Sequence, residues 1–154
     1  MNILGKLFET SWGREKISLI ANCHVVLRDE NGRVKNERMI HNTVTTQGKY
    51  GVADQVLLSP TLTKITHVAV GTGSPAANAL GTELDRNAFT TKTRSNAVVT
   101  IVADWAAGDA TGAITEAGTF DAASTGNMWM SASFSVINKG ASDTLQITWT
   151  LTVA

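Results

Sequence analysis

Cysteine and charge are both scarce in this chain of 154 residues. Its single cysteine, Cys23, excludes an internal disulfide framework and a multi-cysteine metal site. Charged residues make up 17% of the sequence, against about 25% in typical soluble proteins, and thirteen basic residues balance thirteen acidic ones. Nucleic-acid binding needs an excess of Lys and Arg on one face, so no nucleic-acid partner is expected. A neutral, charge-poor surface favours a subunit that neighbours cover over a freely dissolved monomer.

Long hydrophobic runs are also missing, since none approaches the roughly 18 residues that a membrane-spanning helix needs. The N-terminus reads MNILGKLFE, with charged residues where a secretory signal has an uninterrupted apolar core. We therefore expect no membrane partner and synthesis in the cytosol. Cys23 lies in the apolar run 20–27, and we expect it to be a small buried side chain rather than a reactive thiol.

The chain does contain a series of short segments in which β-branched or aromatic residues alternate with other residues. Gly, Ser, Thr, Asp and Asn separate these segments in combinations typical of turns. The pattern predicts a mainly β protein, an antiparallel β-sandwich with neutral, threonine-rich faces, forming a single domain over residues 15–154. The segments are 65–71, 97–105, 113–120, 128–137 and 144–153.

Two earlier segments predict a hairpin, with strands at residues 17–27 and 34–41. Between them, Asn31 and Gly32 would supply the two positive-φ positions of a type I′ turn. Alternation in the second strand is weak, so the hairpin is expected at a sheet edge or projecting from the body. We predict that its tip, with Arg28, Asn31 and Arg33, contacts another subunit.

One helix is predicted at about residues 45–58, with Thr45 or Thr46 as its N-cap. Gly48 and Gly51 each cost such a helix roughly 0.5–1 kcal/mol relative to alanine. Their presence makes sense where the helix lies against a sheet so closely that a Cβ would clash. The helix is therefore expected to cover an end or an edge of the sandwich.

Residues 78–91 show no clear period. They predict a long connection with a short helical turn at most, and a strand from about 89 to 94 is expected next.

The first 14 residues predict a separate N-terminal arm, helical or extended. Its apolar residues have the spacing of a short amphipathic helix, which must dock on something because nucleation costs more than a few turns return. Two docking partners stay open: the chain's own domain, or a neighbouring subunit that the arm would anchor. The apolar residues, which we also predict as interface residues, are Ile3, Leu4, Leu7, Phe8 and Trp12.

Groups that could carry chemistry are few, and the sequence predicts no catalytic, cofactor-binding or metal site. The Gly-rich segment 70–75 lacks the third glycine of a dinucleotide fingerprint and the Lys of a P-loop, so it predicts a tight turn. The histidines His24, His41 and His67 have no metal-ligand spacing and are expected to be hydrogen-bonded.

The tryptophans and the acids leave two further alternatives. Alternating tryptophans favour core packing, whereas exposed ones would offer a sugar-stacking platform. A carboxylate pair at strand ends would suggest a glycosidase, but sequence spacing cannot establish the required separation. In a charge-poor domain, retained charges are expected to be partnered. We therefore predict a buried or interfacial charge network of Glu83, Arg86 and Glu116.

Five segments, taken in order, carry a resemblance over about residues 25–153. They are NERMIHNTVTTQGK at 36–49, HVAVGTGSP at 67–75, LGTELDR at 80–86, GAITEAGTFDAA at 112–123 and TLQITWTLT at 144–152. Together they resemble modules of small structural proteins of tailed bacteriophages, found in tail, neck, baseplate-proximal and head-decorating positions.

The resemblance implies a non-enzymatic virion subunit, assembled in the host cytoplasm and repeated as a homo-oligomer that attaches to other virion proteins. The neck, tail or baseplate region is the first expectation for its position. The alternatives are a capsid decoration protein and a carbohydrate- or receptor-binding module of a fibre, for which a host-surface glycan would be the partner.

Overall fold

A computed structural model describes residues 17–57 and 59–154. The predicted arm (residues 1–14), with Ile3, Leu4, Leu7, Phe8 and Trp12, lies outside the described residues. The described part is mainly β, as predicted. Its elements are β1 (Leu19–Arg28), β2 (Val34–His41), β3 (Thr43–Val44), α1 (Thr46–Asp54), β4 (His67–Gly71), β5 (Glu83–Ala88), β6 (Thr91–Ser95), β7 (Val98–Trp105), β8 (Gly112–Phe120), β9 (Met128–Lys139) and β10 (Thr144–Val153).

The strands form two five-stranded antiparallel sheets that pack face to face, so the predicted β-sandwich is confirmed. The front sheet has the order β2-β1-β10-β7-β6, and the back sheet has the order β3-β9-β8-β4-β5. Strand β10 shows why the sequence folds this way. Ile147 and Trp149 are buried between the sheets, whereas Thr148 between them is only half-buried on the outer face. A period of two places one apolar set in the core and leaves a polar set outside.

Both sheets contribute to one main core. The tryptophans at 105, 129 and 149 are buried in it, which confirms the prediction of core packing for these three. None of them can therefore present an open ring face to a sugar. Cys23 is fully buried in the same core, also as predicted.

Helix α1 is shorter than the predicted 45–58: it begins at Thr46 and ends at Asp54. Thr45 is the N-cap, and its hydroxyl accepts a hydrogen bond from the Gly48 N–H at 3.0 Å. At the other end, Asp54 accepts hydrogen bonds from the Leu62 N–H and the Thr61 hydroxyl, at 2.8 and 2.9 Å. These bonds tie the helix end to the returning chain and hold the pKa of Asp54 below its usual value.

The prediction for residues 78–91 is wrong, because they contain strand β5 rather than a helical turn. Strand β5 pairs with β4, and Arg86 lies opposite Ala69. β5 is the edge of the back sheet and none of its side chains is fully buried. Its sequence therefore lacks the apolar alternation that a half-buried strand shows.

The β1–β2 hairpin forms, and β2 is an edge strand, as predicted. The type I′ turn is wrong, however, because Gly32 alone in the turn has a positive φ, 78°. Asp29 takes over the ordering of the turn. One of its carboxylate oxygens accepts hydrogen bonds from the Asn31 and Arg33 N–H groups, at 2.9 and 2.8 Å. These side-chain hydrogen bonds order the turn without the second positive-φ residue that a type I′ turn requires.

Candidate functional site

The outer face of the front sheet carries an uncharged surface, which we call the threonine face. It consists of three neighbouring cross-strand rows that contain no Lys, Arg, Asp or Glu. The rows are Ser95–Val98–Thr152–Ile20, Thr93–Thr100–Thr150–Asn22–His41 and Thr91–Val102–Thr148–His24–Met39. Side chains in successive rows stand on the same side of the sheet because their positions differ by two. Threonine occupies six of the positions, and the predicted neutral, threonine-rich face is therefore present here.

Apolar side chains are exposed within and around the threonine face. Ile20 is 49% exposed and Met39 is 66% exposed. Beyond the uncharged rows, Glu37 bonds the His24 ring at 2.8 Å, and Asp104 accepts a hydrogen bond from Gln146 at 2.8 Å. The acidic groups nearest the face are thus engaged with neighbouring side chains, which leaves the face weakly charged.

The hairpin tip projects at one end of the front sheet. Arg28, Asn31 and Arg33 are all exposed, and Arg28 donates to the Gly32 carbonyl at 3.3 Å. Their predicted role as intersubunit contacts stays a prediction.

The Gly-rich segment after β4 wraps around a carboxylate of the chain itself. Glu116 on β8 is fully buried, and its two oxygens accept hydrogen bonds from the N–H groups of Gly73, Gly81 and Thr82, each at 2.9 Å. A Cβ at Gly73 would lie only 2.8 Å from the Thr82 nitrogen, so glycine permits this approach. The loop surrounds a carboxyl group with backbone N–H donors, as phosphate loops surround a phosphate, but the group it holds is a side chain of the same chain.

Arg86 organises a second loop on the same side of the back sheet. Its guanidinium pairs with both oxygens of Glu83, at 2.9 and 2.6 Å, and donates to the carbonyls of Ala122 and Thr125. It also lies 3.7 Å above the Phe120 ring, a cation–π contact.

The predicted charge network is therefore only partly formed. Glu83 and Arg86 are paired, whereas the hydrogen bonds that Glu116 accepts come from backbone N–H groups. The reason is local. The glycines after β4 bring three N–H donors to Glu116, and these donors can satisfy a buried carboxylate without a cation.

Sequence reasoning missed a polar cluster beneath the β9–β10 turn. Lys139 is almost fully buried and donates to the carbonyls of Ala106 and Asp143, at 3.0 and 2.6 Å. Burial lowers the pKa of Lys139, and the nearby Asp143 and Asp109 carboxylates partly oppose that effect. The Lys35 ammonium bonds both carboxylate oxygens of Asp143, at 2.9 and 2.7 Å. The only sequence signal was a turn composition, which does not reveal partners from β2.

The histidines are hydrogen-bonded, as predicted, and they do not converge. His41 bonds the Asn22 side chain at 2.7 Å, and His67 in the back sheet bonds the Thr66 hydroxyl at 2.8 Å. Burial, with a smaller contribution from Arg86, lowers the pKa of His67. Across residues 17–57 and 59–154, no three His, Cys, Asp or Glu side chains are grouped so that they could hold a metal ion. In that same part of the chain, no helix has the length and apolar character needed to cross a bilayer.

No family model, no curated protein and no solved structure matches the chain.

Proposed function

We propose that the chain is a non-enzymatic structural subunit of a bacteriophage virion that self-associates through the threonine face. Its place would be the neck, tail or baseplate region, with capsid decoration as the alternative. The observation that carries the proposal is the set of three uncharged rows running across the front sheet.

An uncharged sheet face supports burial against a second copy, because little charge has to be desolvated. Burying an unpaired charge is costly, whereas threonine hydroxyls can exchange water for partners across the interface. A stable interface buries roughly 1,600 Å² in total, an area that one face of a five-stranded sheet can contribute to. Repetition by symmetry then gives firm assembly from modest individual contacts.

The phage context is supported by the ordered segments that resemble tailed-phage structural modules. Two of them, at 67–75 and 80–86, form the loop that encloses Glu116, and a third, at 112–123, contains Glu116 itself. Three of the resembling segments therefore lie together around one buried carboxylate.

Mass photometry and light scattering of the purified chain test the self-association. We expect oligomers for the native chain and monomers for the double variant Thr148→Lys, Thr150→Lys, which places two charges in the centre of the face. Ser142→Lys, in the exposed β9–β10 turn, is the matched control and should assemble normally. A native chain that is monomeric at every concentration, or a double variant that assembles like the control, would overturn the proposed face.

The virion assignment needs its own test. An antibody against the chain should label phage particles from cells that carry the gene, when viewed by electron microscopy. Label at the neck, tail or baseplate supports the proposal, and label on the head supports decoration instead. Particles without label would overturn the virion assignment whatever the oligomeric state.

A further inference from the structure

An apolar pocket of about 280 Å³ opens between the two sheets, at the end of the sandwich where β10 finishes. Val99 and Leu151 form its wall on the front sheet, and Trp129 lies on the back-sheet side. Helix α1 contributes Val52, and the segment before β4 contributes Ile65. Aliphatic and aromatic side chains therefore make up most of the pocket wall, which favours an apolar occupant.

The volume of the pocket sets the size of this occupant. A cavity of ~150 Å³ holds one benzene ring, which has six carbon atoms. In the same proportion, the 280 Å³ of this pocket hold about eleven carbon atoms. A small amphiphile whose hydrocarbon part has about ten carbon atoms is therefore of the right size.

Two lysines give the mouth of the pocket a positive charge. Lys64 and Lys92 are both exposed and line the pocket, and none of the described residues that line it is Asp or Glu. Across residues 17–57 and 59–154, neither lysine is in an ion pair. An occupant with an anionic group next to its apolar part therefore complements both the wall and the mouth.

The register of the front sheet places Lys92 on the pocket side. Lys92 in β6 lies opposite Ile101 in β7, a buried residue that also lines the pocket. Thr91 and Thr93, on either side of it, belong to the outer threonine face. An inward lysine on an edge strand can also block pairing with another chain. Lys64 lies outside the strands, so that role does not explain the second cation.

We propose that this pocket binds a medium-chain monocarboxylate, with the hydrocarbon chain between the sheets and the carboxylate beside Lys64 and Lys92. Burial of the chain drives binding, because the pocket wall and the ligand both leave water. The two ammonium groups attract the carboxylate and hold it at the mouth, so the ligand binds in one orientation. The site lies on the inner side of the front sheet and is therefore independent of self-association through the threonine face.

Binding of decanoate to the full-length chain tests the inference. The methyl signals of Val52, Ile65 and Val99, followed by nuclear magnetic resonance, should shift and saturate as decanoate is added. Octanoate is two methylene groups shorter and should bind about ten- to fifteen-fold more weakly. Saturable shifts confined to other parts of the chain, no saturable shifts, or equal affinities for the two acids would overturn the inference.

A charge-removing variant tests the role of the lysines. The double variant Lys64→Gln, Lys92→Gln changes two exposed side chains and should stay folded. It should bind decanoate about three- to ten-fold more weakly than the native chain, whereas decan-1-ol should bind both proteins equally. Lys49→Gln, at an exposed position outside the pocket, should keep the native affinity. Equal decanoate affinities for the double variant and the native chain would contradict the proposed orientation of the ligand.

A pair of variants in α1 tests the pocket itself. Val52 is half-buried at the pocket wall, so the larger ring of Val52→Trp should take space from the ligand. Losing room for two methylene groups weakens binding about ten-fold, and we expect at least that loss for decanoate. Tyr50→Trp, on the same helix but outside the pocket, should bind as the native chain does. Circular dichroism checks that both variants are folded, and native affinity in folded Val52→Trp would place the ligand elsewhere and refute the site.

Discussion

Glu116 in strand β8 and Gly73 in the loop after β4 are joined by a hydrogen bond of 2.9 Å, in which the buried carboxylate accepts the backbone N–H. Two further N–H groups, from Gly81 and Thr82, complete the shell around this carboxylate. Glu116 therefore binds both ends of the loop that covers the outer side of the back sheet, and the Thr115 hydroxyl adds a hydrogen bond to the Gly73 carbonyl at 2.7 Å. Leu80 in this loop packs in a small second core with Ala69, Phe120 and Met128.

Replacing Glu116 should loosen that loop. Glu116→Gln keeps the shape but replaces one carboxylate oxygen with an NH₂ group. The remaining oxygen can still accept from Gly73 and Thr82, whereas the buried N–H of Gly81 then faces a donor and loses its acceptor. We expect the free energy of unfolding to fall by about 1–3 kcal/mol in urea denaturation. The amides of Gly73, Gly81 and Thr82 should also exchange hydrogen faster. Glu30→Gln, in the exposed hairpin turn, should change stability little, and equal stabilities for the two variants would contradict this account.

Gly48 provides a test of how closely α1 lies on β9. A Cβ on Gly48 would overlap the backbone carbonyl of Trp129, and a backbone atom cannot rotate away. Helix propensity alone predicts that Gly48→Ala gains about 1 kcal/mol. Overpacking costs about 1–3 kcal/mol, so we expect net destabilisation, seen as a lower melting temperature. Lys49→Ala, at the neighbouring exposed position, serves as the control, and a more stable Gly48→Ala variant would refute the close packing.

The parts of the fold that the sequence predicted are those where one face of a strand is apolar. Residues 144–153 were predicted with the bounds that β10 has, and the close approach of α1 followed from its two glycines. Strand β2 is an exception, because residues 34–41 were predicted with its bounds from the turn composition before them, although the strand has no buried residue. Burial of one face makes apolar residues recur at every second position, and this alternation can be recognised in the sequence. The same alternation places threonines at the outward-facing positions, so it also predicts the threonine face.

The parts that could not be predicted depend on long-range partners. Strand β5 has no apolar period because its residues pair with loop carbonyls and each other, as Arg86 does with Ala122 and Glu83. Glu116 was expected among charges, but its partners are backbone groups more than thirty residues away. Burial of Lys139 was not predicted, because nothing in the sequence around it indicates a buried ammonium group. Such contacts become visible only once the strand order is known.

Lys35 should control part of the pH dependence of stability. Its hydrogen bonds to Asp143, helped by the Gly140 N–H, hold the pKa of that carboxyl below its usual value. A depressed folded-state pKa stabilises the protein above the unfolded pKa of about 3.9, and this contribution is lost as the pH falls through the folded-state value. The native chain should therefore lose stability from about pH 5 downward.

The variant Lys35→Met should lose less stability over the same pH range, because the pKa of Asp143 in the folded state then moves back towards its usual value. Urea denaturation at several pH values measures the difference. Lys49→Met removes an exposed lysine elsewhere and should keep the native slope. Parallel curves for Lys35→Met and the native chain would show that Lys35 does not set this pH dependence.

The Cys23 thiol should not react with thiol reagents until the protein unfolds. The side chain is fully buried, and burial raises the pKa of its thiol, so both access and thiolate formation are suppressed. A thiol-reactive disulfide reagent should therefore label the native chain orders of magnitude more slowly than the urea-unfolded chain. Ser142→Cys, in the exposed β9–β10 turn and outside the threonine face, adds a second thiol that should react at once, while Cys23 in the same molecule stays protected. Two thiols that react at equal rates in the folded variant would mean that the core between the two sheets is open to solvent.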